Sequence, residues 1–223
     1  MVYCMKRLLL LSLLFLFATP SVANEQIRLY KQYLVGMPKV FLQKSHPLED
    51  CSDRYEQGTL CLQKHSLAGE SAELAFRFLG DRLVSVLLMM PLSDVGKIKK
   101  MFHVLKTQFD LVLIEDGADK FDILEVSSNT FNKDEFTKMI AEFENEAYQK
   151  LRIKYTFISK DEFVTQSRKS QKFSEIFNDA PLKMRAVIYN VGRKDGQVVG
   201  TISFIVPGVT EEYLDQNPIV EDF

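Results

Sequence analysis

Hydrophobic positions along this chain recur with two spacings, one typical of helices and the other of strands. Steps of three and four residues predict amphipathic helices with one apolar face. These helices are expected at residues 25–35, 38–43, 93–109, 132–151 and 161–178, with a last helical turn at 211–214. Because residues 161–178 have a polar middle, two short helices are an alternative for that segment.

Alternating apolar and polar side chains predict strands, and turn residues join some of them into hairpins. The strands are expected at residues 59–62, 73–79, 82–90, 111–115, 121–127, 155–158, 183–191 and 197–206. Gly80-Asp81 and Asp195-Gly196 are two-residue turn signals, and the second is typical of a type I′ turn. Counting back from these turns predicts four cross-strand pairs: Phe76 with Ser85, Phe78 with Leu83, Val187 with Phe204, and Tyr189 with Ile202.

These elements predict an α+β fold in which hairpins form antiparallel β-sheets packed by amphipathic helices. Strands and helices occur in groups, which disfavours a doubly wound α/β fold. Both hairpins end in apolar residues followed by proline, so a duplicated helix-plus-sheet unit is an alternative. We expect an N-terminal α+β unit at residues 24–128 and a C-terminal α+β unit at residues 129–223, with one continuous domain as the alternative.

The N-terminal segment 1–23 has the three parts of a secretory signal peptide. Lys6-Arg7 is basic, residues 8–18 are mostly apolar, and small side chains precede the expected cleavage site between Ala23 and Asn24. The apolar core is shorter than the ~20 residues that a membrane-spanning helix needs. We therefore expect an exported chain. The absence of any Asn-x-Ser/Thr acceptor favours the bacterial periplasm, with secretion as the alternative.

The charge balance argues against a nucleic-acid partner. The full chain has 28 basic and 30 acidic residues, for a formal charge of −2. Loss of Lys6 and Arg7 with the signal peptide leaves 26 basic residues and a formal charge of −4. This mixed balance is unlike that of a nucleic-acid binder. Any membrane contact is expected to be peripheral, through the basic helix face formed by Lys97, Lys99, Lys100 and Lys106.

Signal cleavage would remove Cys4 and leave Cys51 and Cys61 as the two cysteines of the mature chain. An even number of cysteines in an exported protein predicts a disulfide bond between them. With His46 and His65, the same cysteines could instead supply two sulfur and two nitrogen ligands to zinc. The closely spaced pairs of a typical zinc site are missing, and an oxidising compartment removes the thiolates. We expect the disulfide bond and no metal site.

No motif in the chain indicates catalysis. Ser66 lacks the G-x-S-x-G pattern of a nucleophile elbow, and His103 has no evident partner. The segment containing Asp116, Asp119 and Asp122 lacks the remaining oxygen ligands of an EF-hand. We therefore expect no catalytic residue, no cofactor and no metal.

The leading hypothesis is an exported, periplasmic, non-enzymatic binding or interaction protein of the bacterial cell envelope. Its partner would be an envelope protein or a small ligand, bound on a sheet face or by the polar segment 45–56. The alternative is a hydrolase-like periplasmic enzyme whose site is assembled from residues distant in sequence. A pocket that joins His46 or His65 to a carboxylate would support that alternative.

Overall fold

The computed structural model describes residues 26–130 and 132–217, which form seven helices and eleven strands. The helices are α1 (Lys39–Ser45), α2 (Val95–Lys106), α3 (Ile123–Asn129), α4 (Lys133–Lys150), α5 (Lys160–Gln166), α6 (Phe173–Asn178) and α7 (Glu211–Gln216). The strands are β1 (Arg28–Tyr30), β2 (Tyr33–Leu34), β3 (Glu49–Asp50), β4 (Leu60–Leu67), β5 (Glu70–Leu79), β6 (Arg82–Pro91), β7 (Phe109–Glu115), β8 (Lys120–Asp122), β9 (Ile153–Ser159), β10 (Ala186–Lys194) and β11 (Gln197–Ile205). The predicted signal peptide and its cleavage site between Ala23 and Asn24 lie outside the described residues.

Nine strands form one antiparallel sheet in the order β3-β4-β5-β6-β11-β10-β9-β7-β8. This confirms the predicted α+β class with antiparallel sheets. The meanders β4-β5-β6 and β9-β10-β11 meet where β6 pairs with β11, so one sheet runs through both predicted units. The boundary between residues 128 and 129 stays a prediction. No helix within the described part of the chain is long and apolar enough to cross a membrane.

The main hydrophobic core lies on one face of the sheet, where the β1–β2 hairpin, α2 and α4 pack. Phe76, Leu88, Tyr155 and Tyr189, from four strands of the sheet, are fully buried there. On the opposite face, α3 and α6 cover one end of the sheet with a smaller cluster around Val112, Leu124 and Ile176. The β1–β2 hairpin and α2 therefore share a sheet face, and a candidate site lies between them.

The predicted register of the second hairpin is confirmed. Asp195 and Gly196 both have positive φ, at 52° and 80°, as a type I′ turn requires. With that turn fixed, the side chains that face the core follow at two-residue steps. The observed pairs are Val187 with Phe204 and Tyr189 with Ile202.

The first hairpin departs from the predicted register by one residue. Phe78 pairs with Leu83 as expected, but Phe76 pairs with Val86 rather than Ser85. Val84 is left without a partner as an extra residue in β6, which is a β-bulge. Counting back from a turn cannot reveal such an insertion.

The predicted helix at residues 25–35 is wrong, because this segment forms the β1–β2 hairpin. Lys31 adopts a left-handed conformation with φ of 48°, which turns the chain back on itself. Leu29, Tyr30 and Tyr33 are all buried against the sheet. The apolar positions that fit a helical stripe also fit this hairpin, and burial against the sheet overrides the local preference.

Two aspartate caps correct further predicted boundaries. The helix predicted to begin at residue 93 begins as α2 at Val95, because Asp94 caps it and accepts a hydrogen bond of 3.0 Å from the helix backbone. The predicted strand at 121–127 is wrong beyond Asp122, whose carboxylate accepts hydrogen bonds from the first turn of α3 at 3.0 and 3.3 Å. Both are typical of side-chain caps that satisfy unpaired N–H groups at a helix start. Residues 161–178 form the two short helices α5 and α6.

Cys51 and Cys61 form a disulfide bond, with their sulfur atoms 2.03 Å apart and their Cα atoms 5.9 Å apart. Both side chains are fully buried beside Ala75. The bond ties the loop after β3 to the start of β4. That loop is also held by the backbone hydrogen bond from Cys51 N to Thr59 O, at 3.1 Å.

Replacing both cysteines, as Cys51→Ala/Cys61→Ala, is expected to lower the free energy of unfolding by about 2–3 kcal/mol. The reason is that a cross-link across a short loop restricts the unfolded chain. Chemical denaturation of the oxidised protein measures the change, with reduced wild type as a matched control. Unchanged stability, or an intact mass showing two free thiols in the native protein, would contradict this expectation.

Candidate ligand-binding site

A cavity of about 310 Å³ lies between the β1–β2 hairpin and the C-terminal half of α2. Arg28, Lys31 and Arg185 supply its charge, and none of the described residues that line it is acidic. We call it the arginine pocket. Its other lining residues are Leu29, Tyr30, Leu67, Val104, Leu105, Gln108, Phe109 and Phe204.

Three aromatic rings connect the apolar wall of the arginine pocket to the sheet. Phe204 lies on β11, and its ring centroid is 4.8 Å from that of Tyr30 and 6.3 Å from that of Phe109. All three side chains are buried. In β1, Arg28 is exposed, whereas Leu29 and Tyr30 are buried. The hairpin thus places a cation at the mouth of an apolar cavity.

Two of the cations lie over aromatic rings of the same pocket. The guanidinium of Arg185 is 5.4 Å from the centroid of Phe109. The ammonium of Lys31 is 5.3 Å from the centroid of Tyr30 and 3.0 Å from Nε2 of His65. Such cation–π contacts restrict long side chains without neutralising them. The charges are therefore partly oriented and still available to a ligand.

In the part of the chain that the structure describes, neither Arg28 nor Arg185 has an ion-pair partner. Among the described residues, no carboxylate oxygen lies within 4.0 Å of either guanidinium. A guanidinium offers planar donors that match a carboxylate or phosphate in two-point contacts. Two such groups beside an apolar cavity can bind the anionic end of an amphipathic molecule.

The polar groups in and beside the pocket wall carry no negative charge at neutral pH. Burial, with a smaller contribution from Tyr33, raises the pKa of Tyr30 to about 12. Its hydroxyl stays protonated and lies 3.0 Å from Nε2 of His65. Burial first, and then the nearby Lys31 ammonium, lower the pKa of His65. The neutral ring can therefore contact both Tyr30 and Lys31.

The grooves on the other sheet face have a different charge pattern. Two of them, of about 440 and 560 Å³, share Glu115 and Lys154. Glu115 lies 2.6 Å from the Lys154 ammonium and 3.3 Å from that of Lys120. The carboxylate that the two grooves share is therefore already paired with lysine ammonium groups. The 440 Å³ groove also contains Arg152 and Arg193, but the acidic Glu115 lines both grooves. The arginine pocket is the better candidate for an anion because none of the described residues that line it is acidic.

The histidines predicted as alternative site residues contact tyrosine and lysine rather than carboxylates. His46 lies 3.5 Å from the Tyr33 hydroxyl, and His65 contacts Tyr30 and Lys31. No group of three or more His, Cys, Asp or Glu residues in the described ranges could hold a metal ion. Among the described residues, neither histidine is hydrogen-bonded or ion-paired to a carboxylate, which is the contact that would support the hydrolase alternative.

The aspartates considered for calcium already have partners. The Asp116 carboxylate accepts hydrogen bonds from the backbone N–H groups of Ala118 and Asp119, at 2.9 and 2.7 Å, and it pairs with the Lys150 ammonium. Asp122 caps α3 and also accepts a hydrogen bond of 2.8 Å from the backbone of Phe173. These contacts indicate structural roles at a turn and at a helix start.

Asp116→Asn is expected to reduce stability at neutral pH and to make stability less dependent on acid. Hydrogen bonding from the Asp119 backbone, the Lys150 ammonium and the Ala118 backbone hold the pKa of Asp116 well below its ordinary range. The stabilisation is present above the ordinary aspartate pKa and is lost as pH falls through the folded-state value. Denaturation from pH 7 down to pH 2 measures it, and the difference from wild type should shrink below about pH 4. A difference independent of pH would contradict this assignment.

The basic face of α2 is partly neutralised. Lys97 and Lys100 lie 2.7 and 3.4 Å from the carboxylate of Glu70. Lys106 lies over the Phe102 ring, 5.5 Å from its centroid. The face is therefore a weaker candidate for membrane contact than the lysine count indicates.

The sequence-based prediction missed Arg28 and Arg185. The first lay in a segment predicted to be helical, and the second adjoins a strand with no motif around it. The available signal was only the excess of basic residues over acidic ones at residues 26–35, with no acidic residue in that stretch. No protein-family model matches this chain, and comparisons with curated proteins and with solved structures find no match.

Proposed function

We propose that this protein is an exported, periplasmic, non-enzymatic binding protein of the bacterial cell envelope. Its ligand is a small amphipathic molecule with an apolar tail and one anionic carboxylate or phosphate group. The observation that carries the proposal is that Arg28 and Arg185, neither with a carboxylate partner among the described residues, line the same largely apolar pocket. The N-terminal pattern at residues 1–23 and the Cys51–Cys61 bond support export.

The proposed ligand satisfies both halves of the site. Its tail would lie against the rings of Phe109 and Phe204, where burying apolar surface contributes about 25 cal/mol per Å². Its anionic group would accept hydrogen bonds from the guanidinium groups of Arg28 and Arg185. A ligand without an anionic group would leave both guanidinium groups without a partner. A hydrophilic anion would leave the apolar cavity unfilled.

The size of the pocket favours a single chain. Its volume of about 310 Å³ is near the lower end of the roughly 300–1,000 Å³ typical of small-molecule sites. A tail of modest length fits such a cavity, whereas two parallel chains need more room. A free fatty acid and an alkyl phosphate share the required chemistry.

Isothermal titration calorimetry tests the proposal directly, since the protein lacks tryptophan for a fluorescence assay. Dodecanoate and dodecyl phosphate, below their micellar concentrations, are expected to bind at one site, and added salt should weaken binding. Octyl glucoside, a neutral amphiphile, and inorganic phosphate should bind at least tenfold more weakly. Equal affinity for the neutral amphiphile, or no binding of either anion, would overturn the proposal.

The export half of the proposal has its own test. Fractionation of expressing bacteria should place the protein in the periplasm, and its intact mass should correspond to a chain beginning at Asn24. Recovery of the full-length chain in the cytoplasm would contradict export while leaving ligand binding to be judged by calorimetry.

A further inference from the structure

The arginines of the pocket border a second cavity. Arg28 and Arg185 also line a groove of about 620 Å³ that continues towards α5 and α7. We call it the head groove. Its wall is mostly polar and contains Ser159, Asp161, Glu162, Lys183 and Tyr213.

Backbone hydrogen bonds fix the two cavities next to each other. The N–H of Ser159, at the end of β9, donates to the carbonyl of Arg185 at 2.9 Å. The N–H of Lys160 donates to the carbonyl of Gln108, which lines the arginine pocket, at 3.3 Å. The start of α5 is thus tied to both walls of the arginine pocket, and Asp161 follows directly.

The charges along this path have an order. Glu162 is buried and lies 3.5 Å from the Lys183 ammonium, so its charge is already matched. Asp161 is exposed, and its carboxylate has no cation within 4.0 Å among the residues described. Among the described residues that line these two cavities, the charges without an oppositely charged partner are therefore Lys31, Arg28 and Arg185 at the arginine pocket and Asp161 in the head groove.

We propose that the ligand is a zwitterionic phospholipid with a single acyl chain. The chain would occupy the arginine pocket, the phosphodiester would lie between Arg28 and Arg185, and the ammonium of the headgroup would reach Asp161 in the head groove. This inference rests on the proposed function and adds the chemical class of the ligand.

The order of chemical groups in such a lipid matches the order in the protein. A phosphodiester carries one negative charge and connects the chain side to a cationic headgroup. A free fatty acid would leave the head groove and the Asp161 carboxylate without a partner. A phospholipid with two chains would exceed the volume of the arginine pocket, about 310 Å³.

Calorimetry with two lysophospholipids of the same chain length tests this inference on the mature protein. Lysophosphatidylethanolamine and lysophosphatidylglycerol have the same phosphodiester charge and differ in the headgroup ammonium. The wild type is expected to bind the ethanolamine lipid about fivefold more tightly, the size of a partly exposed ion pair. Asp161→Asn should bring this ratio close to one. Asp179→Asn, at an exposed aspartate outside both cavities, is the matched control and should keep the wild-type ratio.

The outcomes separate the two proposals. If dodecyl phosphate binds but wild type does not prefer the ethanolamine lipid, or if Asp161→Asn keeps the preference, the zwitterionic class is overturned and the anion site stands. If dodecyl phosphate fails to bind wild type, both proposals are overturned. A preference that is lost in Asp161→Asn and kept in Asp179→Asn supports the inference.

Discussion

Arg28→Gln/Arg185→Gln is expected to weaken the binding of dodecyl phosphate by about 100-fold or more. Each arginine supplies a charge-assisted contact worth about 1.5–3 kcal/mol, and every 1.4 kcal/mol corresponds to a tenfold change in affinity. Each single variant should bind dodecyl phosphate about tenfold or more weakly than the wild type. Glutamine keeps much of the length and polarity of arginine, so the hairpin and β10 should retain their positions. Calorimetry at low salt measures the effect.

Arg193→Gln is the matched control for this experiment. Arg193 is an exposed arginine of β10 that lines a different groove. It tests whether lowering the overall positive charge is enough to weaken binding. Equal losses in the Arg193 variant and in the double variant would show general electrostatic attraction and would contradict a specific role for the arginine pair.

Phe76→Ala is expected to lower the free energy of unfolding by about 3–5 kcal/mol, as truncation of a buried phenylalanine leaves a cavity. Phe76 is fully buried on β5, and its ring centroid lies 4.8 Å from that of Tyr33 in the N-terminal hairpin. The ring thus connects the sheet to the hairpin that carries Arg28 and Lys31. Urea denaturation measures the loss of stability. Ligand affinity should also fall if the β1–β2 hairpin no longer packs firmly against the sheet.

Phe41→Ala provides the comparison, because this phenylalanine of α1 is 41% exposed. Truncation of Phe41 should lower the free energy of unfolding by well under half as much as truncation of Phe76, since much of the Phe41 ring is already in water. Similar losses at the two positions would contradict the placement of the core on the hairpin side of the sheet.

The hairpins could be predicted from sequence because their signals are local. Asp195-Gly196 fixes both the turn and the register of β10 with β11, since the backbone conformation of a two-residue turn leaves one pairing. The bulge at Val84 and the caps at Asp94 and Asp122 depend on single side chains and backbone groups. The spacing of apolar residues does not predict these features. The predicted register was therefore wrong at the bulge, and the predicted element boundaries were wrong at the caps.

The N-terminal hairpin could not be predicted from its own residues. Ile27, Tyr30 and Leu34 fit a helical face, yet the segment is too short to choose a conformation without its packing partners. Burial of Leu29 and Tyr33 against the sheet favours the strand conformation over the helix. This error also concealed the site, because the β1–β2 hairpin forms one wall of the arginine pocket.

The candidate site is assembled from five separate parts of the chain. Residues 28–31, 104–109 and 185 meet Phe204 and Leu67 around the pocket. None of these positions belongs to a motif, and arginine side chains are common on protein surfaces. What distinguishes Arg28 and Arg185 is their place beside an apolar cavity whose described lining contains no acidic residue, whereas lysines such as Lys97 and Lys154 lie next to carboxylates. That difference depends on the folded structure and cannot be read from the sequence.

The most direct test of the arginine pocket is a titration of the ¹⁵N-labelled mature protein with dodecyl phosphate, followed by two-dimensional NMR. The largest shifts are expected at the amides of residues 28–31, 104–109, 185 and 204, which line the pocket. Shifts centred instead on residues 113–126, 152–156 and 188–193, which surround the grooves of the opposite sheet face, would contradict this placement of the ligand.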